Sequence, residues 1–221
     1  MTGTLALVGG GEWRDGCSFD AGLLAASGGT DVLILPTAAA YEKPDQAVES
    51  AKRWFASLGA TAVGVMVVGR ADAAEEANVA AVRSARFIYV GDGSPLHLRS
   101  VLKESPLWQA LEEAWRGGAV LAGSSAGAMV LGDPMVDPRG GAFTLGLGLL
   151  ENVAVLPHAS TWSHDRVHRT IKLAPASVAL AAIDEQTALI RSSDGSWSVD
   201  GVGEVSIYRS GEEVGLEALP S

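Results

Sequence analysis

One hexapeptide in the 221-residue chain carries the residue types of an activated nucleophile: Gly123-Ser124-Ser125-Ala126-Gly127-Ala128. It follows a short apolar run, Ala119–Ala122, and opens a stretch of helical character, Ala126–Leu131. G-x-S-x-G between a strand and a helix is the pattern that lifts a serine above a sheet edge. Such a turn is so sharp that larger flanking side chains would strike neighbouring strands, and the amides at the start of the helix are free to stabilise a developing oxyanion. A serine hydroxyl needs a base, and the chain has four histidines: His97, His158, His164 and His168. His158 follows the apolar run Val153–Leu156, at the C-terminal end of a strand, where open α/β sheets gather their chemistry. His97 falls within a helix expected after Gly93. His164 and His168 are spaced i, i+4 but lack the H-E-x-x-H pattern and a third ligand, so they read as a solvated helix face. A carboxylate should orient the imidazole. Asp133, Asp137, Asp165, Asp184 and Glu185 are candidates, and spacing alone does not choose among them. Asp184 and Glu185 follow the apolar run Ala179–Ile183, so one of them comes beside His158 if the two strands pair.

The elements that must hold these residues are legible as alternation. Thr4–Val8, Val32–Leu35, Ala62–Val68, Phe87–Val90 and Ala119–Ala122 are continuous apolar runs. Continuous runs suit strands buried on both faces of a parallel sheet. Between them, Lys43–Leu58, Asp72–Ser84 and Pro106–Arg116 space their apolar residues for one helix face. Right-handed strand–helix–strand units follow, and with them a doubly wound, mostly parallel sheet in a three-layer α/β/α arrangement. Beyond Gly140 the pattern changes to short strands: Val153–Leu156, Ala179–Ile183, Thr187–Arg191, Ser196–Val199 and Glu204–Tyr208. No repeat or linker interrupts the chain, so residues 1–221 are expected to form a single α/β domain.

Composition narrows the function classes. Apolar residues make up 48 % of the chain, enough for a sizeable core, which excludes wholesale disorder. The formal net charge is −10, from 26 acidic and 16 basic residues, which argues against a nucleic-acid partner. Cys17 is the only cysteine, so neither an internal disulfide nor a multi-cysteine metal site can form. A reducing cytoplasm is the expected compartment. The N-terminus lacks the basic region of a signal peptide. No apolar stretch reaches the ~18 residues of a membrane span, so no membrane partner is expected. No metal and no cofactor are expected either, and a homodimer is the expected assembly.

Taken in order, several motifs resemble the cyanophycinase and aspartyl dipeptidase (peptidase E) family of serine peptidases, which share the class I glutamine amidotransferase-like fold. They are Gly9-Gly10-Gly11-Glu12, then Gly91-Asp92-Gly93-Ser94 where the family carries G-G-G-N or G-G-D-Q, then Gly123–Ala128, a strand ending at His158, and Ile183-Asp184-Glu185-Gln186-Thr187-Ala188, similar to I-D-E-x-T-A. The resemblance spans roughly Leu5 to Tyr208. It implies a serine hydrolase acting on small peptides through an acyl-enzyme, with Ser125 as nucleophile, His158 as general base and Glu185 as the acid of the cyanophycinase branch. The dipeptidase branch takes its acid from the segment that here contains Asp133 and Asp137. The oxyanion hole would be the backbone N–H groups of Gly93 and Ala126. Ser94, Arg166 and Arg169 are the implied substrate contacts. Ser94, Pro95 and Ala159 depart from the family pattern, and that keeps two other readings open: a non-peptidase amidase or acyl hydrolase, and a binding protein with a vestigial site. A glutamine amidotransferase is disfavoured because its elbow residue is cysteine.

Overall fold

The computed structural model describes residues 2–220. Its strands, in chain order, are β1 (Leu5–Val8), β2 (Asp31–Leu35), β3 (Thr61–Gly64), β4 (Phe87–Val90), β5 (Val120–Ser124), β6 (Gly132–Asp133), β7 (Met135–Val136) and β8 (Phe143–Thr144). They continue with β9 (Leu150–Glu151), β10 (Val153–Leu156), β11 (Ala179–Ile183), β12 (Thr187–Arg191), β13 (Trp197–Gly201), β14 (Val205–Arg209) and β15 (Glu212–Val214). The helices are α1 (Phe19–Ser27), α2 (Pro44–Ser57), α3 (Glu76–Ser84), α4 (Pro95–Leu102), α5 (Pro106–Arg116), α6 (Ala126–Leu131) and α7 (His164–Leu173).

Seven strands form one sheet in the order β13-β12-β1-β5-β4-β2-β3. Its β1-β5-β4-β2-β3 portion is parallel, and β12 and β13 extend it antiparallel. The continuous apolar runs have the expected cause. Leu5, Leu7, Leu35, Ile88 and Leu121 point into one buried cluster with Val79, Val82, Leu107 and Leu111 of α3 and α5. Ala6, Val8, Ile34, Phe87, Tyr89 and Ala122 point to the other face, against Phe19 and Leu23 of α1 and Val48, Ala51 and Phe55 of α2. Alternate side chains of β1, β2, β4 and β5 are therefore both inside, as a sheet covered on both faces requires, whereas the edge strand β3 buries only Ala62.

The later strands do more than extend this sheet. β10 and β11 pair in parallel, with Leu156 opposite Ala182, and belong to a second, six-stranded sheet ordered β15-β14-β11-β10-β6-β9. The chain then crosses back: the turn after β11 delivers β12 to the first sheet beside β1. Because β12 runs antiparallel, it begins at the edge where β1 and β5 end, and Val8 lies level with both Ser124 and Ala188. Two expected elements are shorter. β3 stops at Gly64 because Val67 N–H folds back onto the Val65 carbonyl. The helix expected over Asp72–Ser84 splits into a 3₁₀ turn, Asp72–Ala74, and α3. The Asp72 carboxylate accepts the Val68 and Gly69 amides at 2.9 and 2.8 Å, and Glu75 is extended.

Candidate active site

The elbow is built from small residues because backbone passes where side chains would be. A Cβ on Gly123 would lie 2.6 Å from the Gly127 carbonyl carbon, and one on Gly127 would lie 2.4 Å from the Val90 oxygen. Between them Ser125 adopts φ 47°, ψ −105°, a strained conformation of the kind that persists only where its surroundings over-determine it. Those surroundings are its own N–H bonded to the Val8 carbonyl at 2.9 Å and its carbonyl accepting Met129 N–H at 2.9 Å. The serine stands at the C-terminal edge of the parallel strands, 6 % exposed.

His158 and Glu185 reach the same edge from the second sheet. The parallel pairing of β10 and β11 sets their ends side by side. The loop between β1 and α1 then ties both ends down: Gly9 accepts His158 N–H at 2.7 Å and Gly10 accepts Gln186 N–H at 2.8 Å. Gly10 has φ +113°, and a Cβ there would fall 2.1 Å from His158 Cε1. The imidazole thus occupies space that only glycine leaves open. His158 itself has φ 52° and Gln186 φ 55°, so backbone strain recurs where the two sheets meet the elbow. The outcome is a continuous chain of contacts: Ser125 Oγ lies 2.9 Å from His158 Nε2, and His158 Nδ1 lies 2.8 Å from Glu185 Oε1.

The amides of Gly93 and Ala126 converge beside Ser125, and both point at the same atom. Asp92 Oδ1 accepts Gly93 N–H at 2.6 Å and Ala126 N–H at 3.5 Å. The other Asp92 oxygen lies 3.9 Å from His158 Nε2. Behind them sits Glu12, whose two carboxylate oxygens accept Asp92 N–H at 3.2 Å and Ser124 Oγ–H at 2.8 Å. Glu12 therefore braces the strand ends that carry the amides. Burial pushes its carboxyl above the usual range, and the negative charge of Asp92 pushes it further.

Residues 5–197 match the family model described as Peptidase family S51. The chain belongs to peptidase family S51. A cyanophycinase from Synechococcus elongatus is 32 % identical over 193 residues, covering 82 % of this chain and 60 % of the relative. One from Trichormus variabilis is 30 % identical over 168 residues, covering 70 % of this chain and 56 % of the relative. The chain thus spans less than two thirds of the length of these curated S51 relatives. A crystal structure of a peptidase from an acI-B1 Actinobacterium superposes with a TM-score of 0.87 at 33 % identity, covering 97 % of this chain and 93 % of that one. A putative peptidase E protein from Listeria monocytogenes shares the fold, with a TM-score of 0.67 at 20 % identity, covering 95 % of this chain and 99 % of that one.

Within this S51 scaffold most of the remaining candidates are engaged elsewhere. Asp133 Oδ1 accepts Gly146 N–H at 2.9 Å. Asp137 holds Arg139 through both carboxylate oxygens, and those hydrogen bonds pull its carboxyl down to about 2. Asp184 Oδ2 accepts Glu204 N–H at 3.1 Å, and Asp165 lies in the first turn of α7. Of the carboxylates weighed, Glu185 is the one that meets the His158 Nδ1 side. Ser94 spends its Oγ capping α4, accepting His97 N–H at 3.3 Å. Arg166 lies flat over Trp162, 3.4 Å from the ring centroid, and donates to the Pro138 carbonyl. Arg169 is exposed. His97 pairs with the Val68 carbonyl at 2.9 Å, and His164 and His168 stack with ring centroids 6.2 Å apart on α7. No group of three potential metal ligands occurs among the described residues, and none of their helices is long and apolar enough to cross a membrane. Reading the sequence assigned no role to Glu12 or Asp92. The only signal for either was membership of a glycine-rich motif.

Proposed function

We propose that the chain is a serine-type peptidase that cleaves small peptides through an acyl-enzyme on Ser125. The observation that carries this is the uninterrupted run from Ser125 Oγ through both ring nitrogens of His158 to Glu185, at 2.9 and 2.8 Å. The Glu185 carboxylate accepts a hydrogen bond from Nδ1–H and so holds Nε2 unprotonated, free to take the proton of the serine hydroxyl. Oγ attacks the peptide carbonyl carbon, and the resulting oxyanion is met by the Gly93 and Ala126 amides. The imidazolium, stabilised by the Glu185 carboxylate, returns its proton to the leaving amine. Water then enters, His158 takes one of its protons, and the ester is hydrolysed.

The small-peptide substrate class rests on S51 membership and on the cyanophycinases and peptidases the chain is similar to. Ser94, Arg166 and Arg169 are the proposed substrate contacts. Arg169 has the freest guanidinium of the two arginines, while Arg166 braces the Pro138 segment. A cytoplasmic setting suits a lone thiol, Cys17, that is buried and pushed up to about 11 by that burial. A homodimer is proposed as the assembly, to be read by light scattering after size exclusion. The deciding experiment pairs wild type with Ser125→Ala on a library of dipeptides and acyl esters. Loss of a triad nucleophile should lower kcat by about 10⁶, with the circular dichroism spectrum unchanged. Activity surviving in the variant would remove Ser125 from the mechanism, and turnover of esters or amides but no dipeptide would favour the acyl-hydrolase reading.

A further inference from the structure

The oxyanion hole already holds an oxygen of this chain. Asp92 Oδ1 sits on both amides, at 2.6 Å from Gly93 N and 3.5 Å from Ala126 N. Its partner oxygen stands 3.9 Å from His158 Nε2, the nitrogen that faces Ser125. The carboxylate therefore lies across the reacting atoms. A substrate carbonyl oxygen cannot occupy the same point, so binding for attack and the Asp92 contact exclude each other.

The backbone of this segment is held independently of the side chain. Gly91 N–H bonds the Leu35 carbonyl at 3.1 Å, Asp92 N–H bonds Glu12 at 3.2 Å and Ser94 N–H bonds the Ala38 carbonyl at 2.9 Å. A Cβ on Gly93 would sit 2.3 Å from the Ala38 oxygen, so the loop is pressed against its neighbour and is not the moving part. The Asp92 side chain is 41 % exposed and can rotate into solvent while both amides stay in place.

We propose that the Asp92 carboxylate is a built-in competitor for the oxyanion hole, closing the resting site until substrate displaces it. The proposal rests on the serine-peptidase reading and concerns the regulation of that same site. Reaction at Ser125 proceeds only from molecules whose hole is open, so the observed rate constant is the intrinsic one multiplied by the open fraction. Removing the carboxylate raises that fraction to one and leaves Ser125, His158, Glu185 and the backbone that carries the two amides in place.

The test is the second-order rate of Ser125 phosphonylation by a small fluorophosphonate, whose phosphoryl oxygen needs the hole but which makes few other contacts. Asp92→Ala should react at least about tenfold faster than wild type, an open-fraction effect. Asp92→Asn should fall between them, because its amide oxygen still fits the hole but has lost the charge that strengthens such hydrogen bonds. Ser125→Ala is the blank, and melting temperatures check folding. Should Asp92→Ala fold poorly, Asp92→Asn alone must still react faster than wild type. Equal or slower phosphonylation of a folded Asp92 variant overturns the plug while leaving the serine nucleophile standing. No phosphonylation in wild type or either Asp92 variant would instead remove the serine-peptidase reading, and the plug with it.

Discussion

Two carboxylate regions flank His158, and they do opposite things with the same chemical group. On the Nδ1 side Glu185 makes a 2.8 Å contact that fixes the tautomer useful to a base. On the Nε2 side Asp92 stands where the substrate carbonyl belongs. Glu185 comes from the turn that crosses between the two sheets, anchored by the Gln186–Gly10 bond. Asp92 comes from the turn after β4, within the first sheet. The difference teaches that nearness to the histidine beside an elbow serine does not by itself make a carboxylate its orienting partner. Which ring nitrogen is faced, and what else the carboxylate covers, decides between support and obstruction.

Breaking the Glu185 side should give the larger loss. Glu185→Gln keeps the shape but not the charge, and should lower kcat by about 10⁴ in steady-state assays, as neutralising a triad acid does elsewhere. A silent Glu185→Gln would show that the Nδ1 contact is structural only. The next effect comes from the space behind the ring. Gly10→Ala would set a methyl 2.1 Å from His158 Cε1, displacing the imidazole from both Ser125 and Glu185. A shift of about 1 Å in a catalytic group costs about 10²-fold, so kcat should fall by that order while Ser124 and Ser125 remain in place. Wild-type kcat in that variant would mean that the ring position is not limiting.

A third carboxylate, remote from the ring and unlike the other two fully buried, sharpens the contrast. Asp20 is fully buried in α1, bonded to Trp54 Nε1 through one oxygen at 2.8 Å and without a partner at the other. Burial pushes its carboxyl from 3.8 up to about 7, against the opposing pull of the Trp54 bond. The folded state therefore holds a proton that the unfolded chain has released. This group's contribution to stability is full below about pH 4 and is lost as pH rises to about 7. Asp20→Asn should flatten that part of the melting temperature against pH, with kcat little changed, and an unchanged slope would show that Asp20 is ionised throughout. The smallest effect belongs to Asp137. Its partner is Arg139 and it contacts neither Ser125 nor His158, so Asp137→Asn should leave kcat little changed. A large loss would move the triad acid to the segment between Ser125 and His158.

How much of this was readable in advance follows from how local each feature is. The elbow was legible because its geometry is enforced within six consecutive residues. Gly123 and Gly127 are required by backbone at 2.4–2.6 Å, and any chain making that turn must carry small residues there. Four of the five parallel strands were legible for a related reason, since burial on both faces demands uninterrupted apolar runs; the edge strand β3 keeps only Ala62 buried. The break at Glu75 was not, because it depends on Asp72 capturing the amides of Val68 and Gly69 rather than on apolar spacing.

The sequence by itself determined that a serine would stand at a strand–helix turn and that His158 and Glu185 would end two short strands. Only the tertiary structure decided that β10 and β11 pair in parallel, that they form a second sheet, and that the crossing turn brings Glu185 to the ring nitrogen opposite Ser125. It also decided that Glu12 braces Ser124 across 112 positions of chain and that Asp92 fills the hole its own loop helps to form. The physical reason is range. Steric limits on a tight turn act between neighbours and leave their mark in residue type. Strand pairing and the rotamer of one aspartate are settled by contacts between segments far apart in the chain, which no local pattern records.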